Sequence, residues 1–123
     1  MKNNYYKNRI IEFGLAAKSR LLLPEDDLRV NSAKSELRSL GFNIINSDDI
    51  MDQFLNYKNI ISRKKFTDNW SDDQIEFFLN NPVNFAMTAV LAGDADGVVA
   101  GAKNNTSDII RSAIRIIGLK PNV

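Results

Sequence analysis

The sequence predicts an α/β fold in which helices cover both faces of a mainly parallel sheet. Short apolar runs alternate along the chain with longer segments whose apolar residues recur at helical spacing. Glycines and short polar stretches separate these segments, as is usual where strands and crossover helices succeed one another. The length of 123 residues fits one domain, so residues 1–123 are interpreted as a single α/β domain.

Four elements are predicted in the first part of the chain: a helix over 5–18, a strand over 21–23, a helix over 30–40 and a strand over 42–45. The first strand consists of three leucines and ends at Pro24, which is typical of a buried strand that leads into a loop. The helix over 30–40 has its apolar residues on one face, and Gly41 is expected to form its C-terminal cap.

Five further elements are predicted: a helix that begins near 47, helices over 72–80 and 83–92, a short central strand over 97–101 and a helix over 107–117. Ser71 and Gln74 have the spacing of a capping box, and Pro82 suits the first turn of a helix. The helix over 83–92 is mostly apolar and is expected to be buried. Asn105 or Thr106 is expected to cap the last helix.

Composition excludes several classes of chemistry. The chain has no cysteine and no histidine, so it cannot form a disulfide, a Cys/His zinc site or a histidine general base from its own residues. Lys and Arg number 16 against 15 Asp and Glu, and this balance argues against a nucleic-acid or polybasic membrane binder. No apolar run is long enough for a signal peptide or a membrane span, and a cytoplasmic location is expected.

Two acidic groups are interpreted as solvated turns and loops. Asp94 and Asp96 lie within a turn that is bounded by glycines, where a metal pair is the alternative interpretation. Glu25, Asp26 and Asp27 follow the first strand and are expected to form a solvated loop. At the basic cluster over 63–65, which Phe66 and Trp70 accompany, a nucleic-acid surface is a weaker alternative.

The segment that points to chemistry is the loop over 103–107 and the helix that follows it. In parallel sheets, ligands lie beyond the carboxyl ends of the strands, and a helix that starts there offers free N–H groups to an anion. Thr106 and Ser107 add hydroxyl donors, and Arg111 follows Ser107 by one helical turn. A phosphate clamp is therefore one interpretation. The alternative is a capped helix whose Arg111 and Arg115 face solvent.

The stretch over 95–113, followed by an Ile-Ile pair, resembles the signature of the phosphate acetyl/butyryltransferase family. The basic segment at 63–65, the capped helix after Ser71 and the stretch over 84–87 are also similar to segments of that family. So are Leu23, Pro24, Glu25 and Arg29 near the start of the chain. The resemblance runs from about 20 to the last residue and is strongest over the last 40 residues.

The resemblance implies a transferase that converts acetyl-CoA and phosphate to acetyl phosphate and coenzyme A, with coenzyme A as a substrate and no further cofactor or metal. It also implies a fold like that of the isocitrate/isopropylmalate dehydrogenases. Arg111 matches the signature arginine that contacts the anionic substrate, and Arg63 matches an arginine implicated in coenzyme A or phosphate binding. Asn105 and Thr106 match the hydroxyl positions of the signature loop, and Ser107 completes the candidate phosphate and coenzyme A site.

The sequence departs from the family pattern in the signature and in length. Asn104 stands in place of the signature histidine, Asn105 in place of a hydroxyl residue, Ser112 in place of a proline and Asp26 in place of a glycine. Family enzymes are considerably longer, so the chain is expected to be an N-terminal portion, inactive alone, with a homo-oligomer or a C-terminal half as its partner. A phosphate- or CoA-binding module without catalysis and a phosphate butyryltransferase are the alternatives. No catalytic residue is assigned.

Overall fold

The computed structural model describes residues 19–118 and has an α/β architecture built on a small parallel sheet. The helix predicted over 5–18 lies outside the described residues. Within the described residues, no helix is long and apolar enough to cross a membrane.

Three strands and five α-helices make up this part of the chain, with two short 3₁₀ helices between them. In chain order they are β1 (Arg20–Leu22), α1 (Leu28–Ser39), β2 (Asn43–Ile45), a 3₁₀ helix (Ser47–Gln53), α2 (Phe54–Ser62), a 3₁₀ helix (Lys65–Thr67), α3 (Asp72–Asn80), α4 (Pro82–Ala92), β3 (Gly97–Val98) and α5 (Thr106–Ile116).

The three described strands are parallel, in the order β2-β1-β3. Leu21 lies opposite Ile44 of β2 on one side and Gly97 of β3 on the other. The prediction of a central strand over 97–101 is therefore wrong in two respects, because β1 is central in the described sheet and β3 has only two residues. The strand pairing ends after Val99 N, which donates to Leu22 O at 2.9 Å, because the next N–H groups turn towards a side chain instead.

The helix ends follow the local signals in the sequence. Ser71 and Gln74 form the predicted capping box at the start of α3. Pro82 occupies the first turn of α4, where its missing N–H leaves no helical hydrogen bond unmade. Asn105, one of the two predicted caps, begins α5 by accepting a hydrogen bond from Asp108 N. Gly93 ends α4 at φ 90°, a conformation that strains residues with a Cβ atom.

The helix predicted to begin near 47 starts differently. Residues Ser47–Gln53 form a 3₁₀ helix, and the α-helix begins only at Phe54. The residue before the 3₁₀ helix is Asn46, whose side chain makes no capping hydrogen bond. The first turn closes through Asp49 N and Asn46 O at 3.0 Å, an i to i+3 bond that winds the backbone more tightly than an α-helix.

The core has two parts, one on each face of the sheet. Leu22 belongs to the larger part with Tyr57 and the buried helix α4, which confirms that the helix predicted over 83–92 is core. Leu23 belongs to the smaller part, in which α1 packs through Val30. Leu22 of β1 and Leu23 directly after it thus point to opposite faces, and helices cover both faces, as a parallel sheet requires.

We expect Leu22→Ala to destabilise the fold by about 2–5 kcal/mol, because it leaves a cavity beneath the central strand. Leu22 is 1% exposed, whereas Leu55 is 71% exposed and provides the matched control. Urea unfolding followed by circular dichroism measures both variants. Equal midpoints for Leu22→Ala and Leu55→Ala would show that β1 is not central to the stability of the domain.

Candidate functional site

The candidate site lies where two loops meet at the carboxyl end of the sheet. One loop follows β1 and covers 23–27, and the other follows β3 and covers 99–105. The chain runs from β1 to β2 on one side and then crosses to β3 on the other side. The two loops therefore flank the switch point between β1 and β3, which is where open parallel sheets bind their ligands.

The carboxylate of Glu25 joins these two loops. Its Oε1 accepts hydrogen bonds from Gly101 N at 2.7 Å and Ala102 N at 2.9 Å. Its Oε2 accepts from Lys103 N at 2.8 Å, from Asn104 N at 2.6 Å and from Asn104 Nδ2 at 2.9 Å. Four consecutive backbone N–H groups thus converge on one anion, an arrangement that we call the 101–104 nest.

Glu25 is buried and ionised. Only 3% of the surface of this residue is exposed to solvent. Burial alone would raise its pKa, but the hydrogen bonds from Asn104, Lys103 and Gly101 together outweigh burial and lower the pKa to about 2. The expectation that Glu25 lies in a solvated loop is therefore wrong, because the nest supplies the hydrogen bonds that water would otherwise make.

Two further contacts hold the same loops together. Arg29 Nη2 donates to Ala102 O at 2.9 Å, and Lys103 Nζ donates to Asp26 O at 3.2 Å. Asp27 caps α1 by accepting from Arg29 N at 2.8 Å, and it also holds the Arg29 guanidinium through Nε at 3.0 Å. The loop after β1 is therefore fixed to α1 at one end and to the loop after β3 at the other.

The start of α5 contains four of the five candidate binding residues. Asn105 Oδ1 accepts from Ser107 Oγ at 2.7 Å and from Asp108 N at 3.3 Å. Thr106 and Ser107 are exposed. The Arg111 side chain is 62% exposed and lies 3.6 Å from Asp108 Oδ1 through Nη1. The structure thus places Asn105, Thr106, Ser107 and Arg111 on two adjacent turns, beside the 101–104 nest.

Arg63 is placed differently. It is exposed at the C-terminal cap of α2, and Phe66 in the 3₁₀ helix after it packs against Trp70 and Phe78. The Arg115 guanidinium lies 6.0 Å from the centre of the Phe66 ring. The segment that contains Arg63 therefore meets the last turn of α5, whereas the other candidate residues lie at its first turns.

Asp94 and Asp96 both have structural partners. Asp96 Oδ2 accepts from Arg20 N at 2.8 Å and from Arg20 Nε at 3.1 Å, which aligns the amino ends of β1 and β3. Asp94 accepts a hydrogen bond from the hydroxyl of the buried Tyr57. Burial, followed by this contact, raises the pKa of Tyr57. Among the described residues, no three acidic side chains cluster as a metal site would require.

A polar cleft of about 310 Å³ borders Glu25 on the β2 side. Its lining includes Asp26, Asp48 and Lys34 among other polar residues. Three carboxylates, with Glu25 included, against one ammonium group make this cleft a poor place for a phosphate group, because like charges repel most strongly where water is partly excluded. The start of α5, with its N–H groups and Arg111, is electrostatically better suited to an anion.

A sequence model of one family, described as phosphate acetyl/butaryl transferase, matches residues 7–123. The chain belongs to this family. The match confirms the resemblance found in the signature at 95–113, and it extends over the segments whose likeness is weaker.

Curated relatives are phosphate acetyltransferases. The chain is 29% identical over 127 aligned residues to that of Clostridium acetobutylicum, an alignment that covers 99% of this chain and 36% of the relative. It is 43% identical over 53 residues to those of Staphylococcus aureus and Nitratidesulfovibrio vulgaris, which covers 43% of this chain and 16% and 8% of the respective relatives. The alignments therefore cover at most 36% of the length of these relatives.

We expect Glu25→Gln to destabilise the domain by roughly 3 kcal/mol at neutral pH, the value that corresponds to a pKa of about 2 in place of 4.5. The pKa is lowered in the folded state, so this stabilisation is complete above pH 4.5 and is lost as the pH falls towards 2. The difference in unfolding free energy between wild type and variant should therefore shrink over this window.

Urea unfolding at a series of pH values measures this difference, and Asp26→Asn removes a neighbouring carboxylate as the control. The comparison of wild type with the variant isolates Glu25, because contacts with Arg29 and Arg20 also lower the pKa values of Asp27 and Asp96 and so affect the pH dependence of both proteins. A gap between wild type and Glu25→Gln that stays constant from pH 7 to about pH 2 would contradict the ionised, nest-bound carboxylate.

Proposed function

We propose that this chain supplies part of the substrate site of a phosphate acyltransferase that converts acetyl-CoA and phosphate to acetyl phosphate and coenzyme A. Family membership supports the reaction class. The observation that carries the assignment of the site is the position of α5, whose first turns lie beside the switch point with two hydroxyls and one guanidinium. The names of the curated relatives favour acetyl over butyryl.

The proposed role of this site is to bind and orient the phosphate. In the reaction, a phosphate oxygen attacks the carbonyl carbon of the thioester, the C–S bond breaks and coenzyme A leaves as a thiolate. Thr106 would donate a hydrogen bond to a phosphate oxygen, while Arg111 would neutralise part of the phosphate charge. Ser107 would also donate once its hydroxyl turns from Asn105 Oδ1 to the phosphate. Such binding accelerates the reaction by holding the nucleophile in line with the thioester.

The phosphate is proposed to bind at the start of α5 and not in the 101–104 nest. The nest already holds the Glu25 carboxylate on all four of its N–H groups. A phosphate there would have to displace a buried carboxylate with a low pKa, or approach it closely as a second anion. At α5 the pairing of Arg111 with Asp108 is exposed and 3.6 Å long, so the guanidinium can exchange this partner for a phosphate.

Arg111→Ala is expected to weaken the binding of phosphate by about tenfold or more, because a charge-assisted hydrogen-bonding partner is lost. Calorimetric titration with inorganic phosphate measures the change. Arg115→Ala is the matched control, since it removes the same charge from the same helix at a residue that lies over Phe66. Equal affinities for Arg111→Ala and wild type would remove Arg111 from the site.

We propose that the 123-residue chain alone has little or no turnover, because it spans 36% or less of the length of the relatives named above. A thiol-release assay with acetyl-CoA and phosphate tests this proposal. Binding of phosphate or coenzyme A without thiol release is the expected result. Turnover that matches a full-length relative assayed in parallel would contradict it, and a faster rate with butyryl-CoA would reassign the acyl group.

The proposed partners are acetyl-CoA or coenzyme A, phosphate, and either a second copy of the chain or a C-terminal half. Arg63 is included as a candidate contact for coenzyme A. Because its segment meets the far end of α5, Arg63 would contact a part of an extended ligand that lies away from the phosphate. Ile110, Ile114 and Ile117 are about half exposed along one side of α5, an apolar surface that a second polypeptide segment could cover.

A further inference from the structure

Glu25 has no part in the proposed reaction, yet it is the most completely hydrogen-bonded carboxylate near the site. Both of its oxygens accept multiple hydrogen bonds, and the donors lie 76 to 79 residues away in the chain. A buried charge is tolerated only when it is paired in this way. The nest and the carboxylate therefore determine each other's position.

The last donor to Glu25 is Asn104, two residues before the first residue of α5. Asn104 is held by Glu25 through both its backbone N–H and its side-chain amide. The next residue, Asn105, caps α5 and fixes the hydroxyl of Ser107. Ile109, Ala113 and Ile116 pack the helix itself against the core. The position of the residues that lead into its first turn therefore depends on where Glu25 holds Asn104. No side chain of α5 itself provides such an anchor to the loop after β1 among the described contacts.

We propose that Glu25 is a positioning residue, whose carboxylate takes the place of a bound anion in the 101–104 nest and thereby orients the start of α5 for phosphate. This inference rests on the proposed function, since it assumes that phosphate binds at α5. It assigns two different anions to adjacent positions: a permanent carboxylate in the nest, and an exchangeable phosphate at Thr106, Ser107 and Arg111.

An opposite role for the same contact is that Glu25 blocks a phosphate site in the nest. The two roles differ in the sign of one measurement. If Glu25 positions α5, removing its carboxylate weakens phosphate binding. If Glu25 blocks the nest, removing it strengthens phosphate binding, because four convergent N–H groups become available to the ligand. The low pKa and the burial of Glu25 favour the positioning role, since both make displacement of the carboxylate unfavourable.

The test uses the full chain as Glu25→Ala, with Asp26→Asn as the control for loss of a neighbouring charge. Amide NMR spectra of residues 101–111 report the loop and the start of α5, and titration with inorganic phosphate reports the site. We expect Glu25→Ala to shift the amides of 101–108 and to weaken phosphate binding by about tenfold or more. Asp26→Asn should leave phosphate affinity within about twofold of wild type.

The decisive experiment adds formate to Glu25→Ala, because formate is a carboxylate small enough to enter the space that the substitution leaves. Added formate should return the amide shifts of 101–108 towards their wild-type values and restore phosphate affinity in Glu25→Ala. In wild type, formate should give no gain in affinity. A role in stability alone predicts that folded Glu25→Ala binds phosphate as wild type does, with or without formate, and this result would overturn the proposal. Tighter binding by Glu25→Ala would also overturn it.

If Glu25→Ala does not fold, Glu25→Gln replaces it, since it keeps the side-chain shape while it removes the charge and turns one accepting oxygen into an NH2 donor. The same amide shifts and the same loss of phosphate affinity are then expected, and unchanged values would refute the positioning role. If wild type itself binds no phosphate, the proposed function fails. In that case the response of the 101–108 amides to formate in Glu25→Ala still decides whether the carboxylate orients the start of α5.

Discussion

The carboxylate of Glu25 is the interaction on which the rest of the site geometry depends. Beyond Val99 the chain leaves the sheet, and within the described residues this side chain is the protein partner of the N–H groups of 101–104. Their convergence on one buried anion ends β3, shapes the loop and sets the starting point of α5. At the opposite end of the same strands, Asp96 joins β3 to Arg20 of β1, so one carboxylate fixes each end of this strand pair.

Local signals in the sequence predicted the helix ends well. Ser71, Gln74 and Asn105 accept hydrogen bonds from N–H groups within three residues, so their spacing alone identifies them. Pro82 likewise acts within its own turn, where it needs no N–H partner. The same local reasoning failed for Glu25, because its partners are 76 to 79 residues away and a run of three acidic residues ordinarily lies in solvent. The sequence signal for an anion was the polar loop over 103–107 with the helix after it, and nothing in it identified Glu25 as a partner of 101–104.

The sequence predicted the loop and the helix of the candidate site, but it did not predict the position of Arg63 or the place of β3 in the sheet. The order of a small-residue strand, a polar loop and a capped helix is local, and the structure brings these parts together as expected. The position of Arg63 depends instead on how the segment after α2 packs, which is decided by the contacts of Phe66 with Trp70, Phe78 and Arg115. The edge position of β3 in the sheet formed by residues 19–118 is likewise a property of strand order, which no single segment encodes.

The structure also gives a physical meaning to the main departure from the family signature. Asn104 stands where the signature has histidine, and its side-chain amide donates to Glu25 Oε2 at 2.9 Å. A neutral imidazole likewise carries one N–H donor, so an amide at this position keeps a donor that can face the carboxylate. The amide is one of five hydrogen-bond donors to Glu25. Because an amide, unlike a histidine, does not titrate near neutral pH, this hydrogen bond is independent of protonation at position 104.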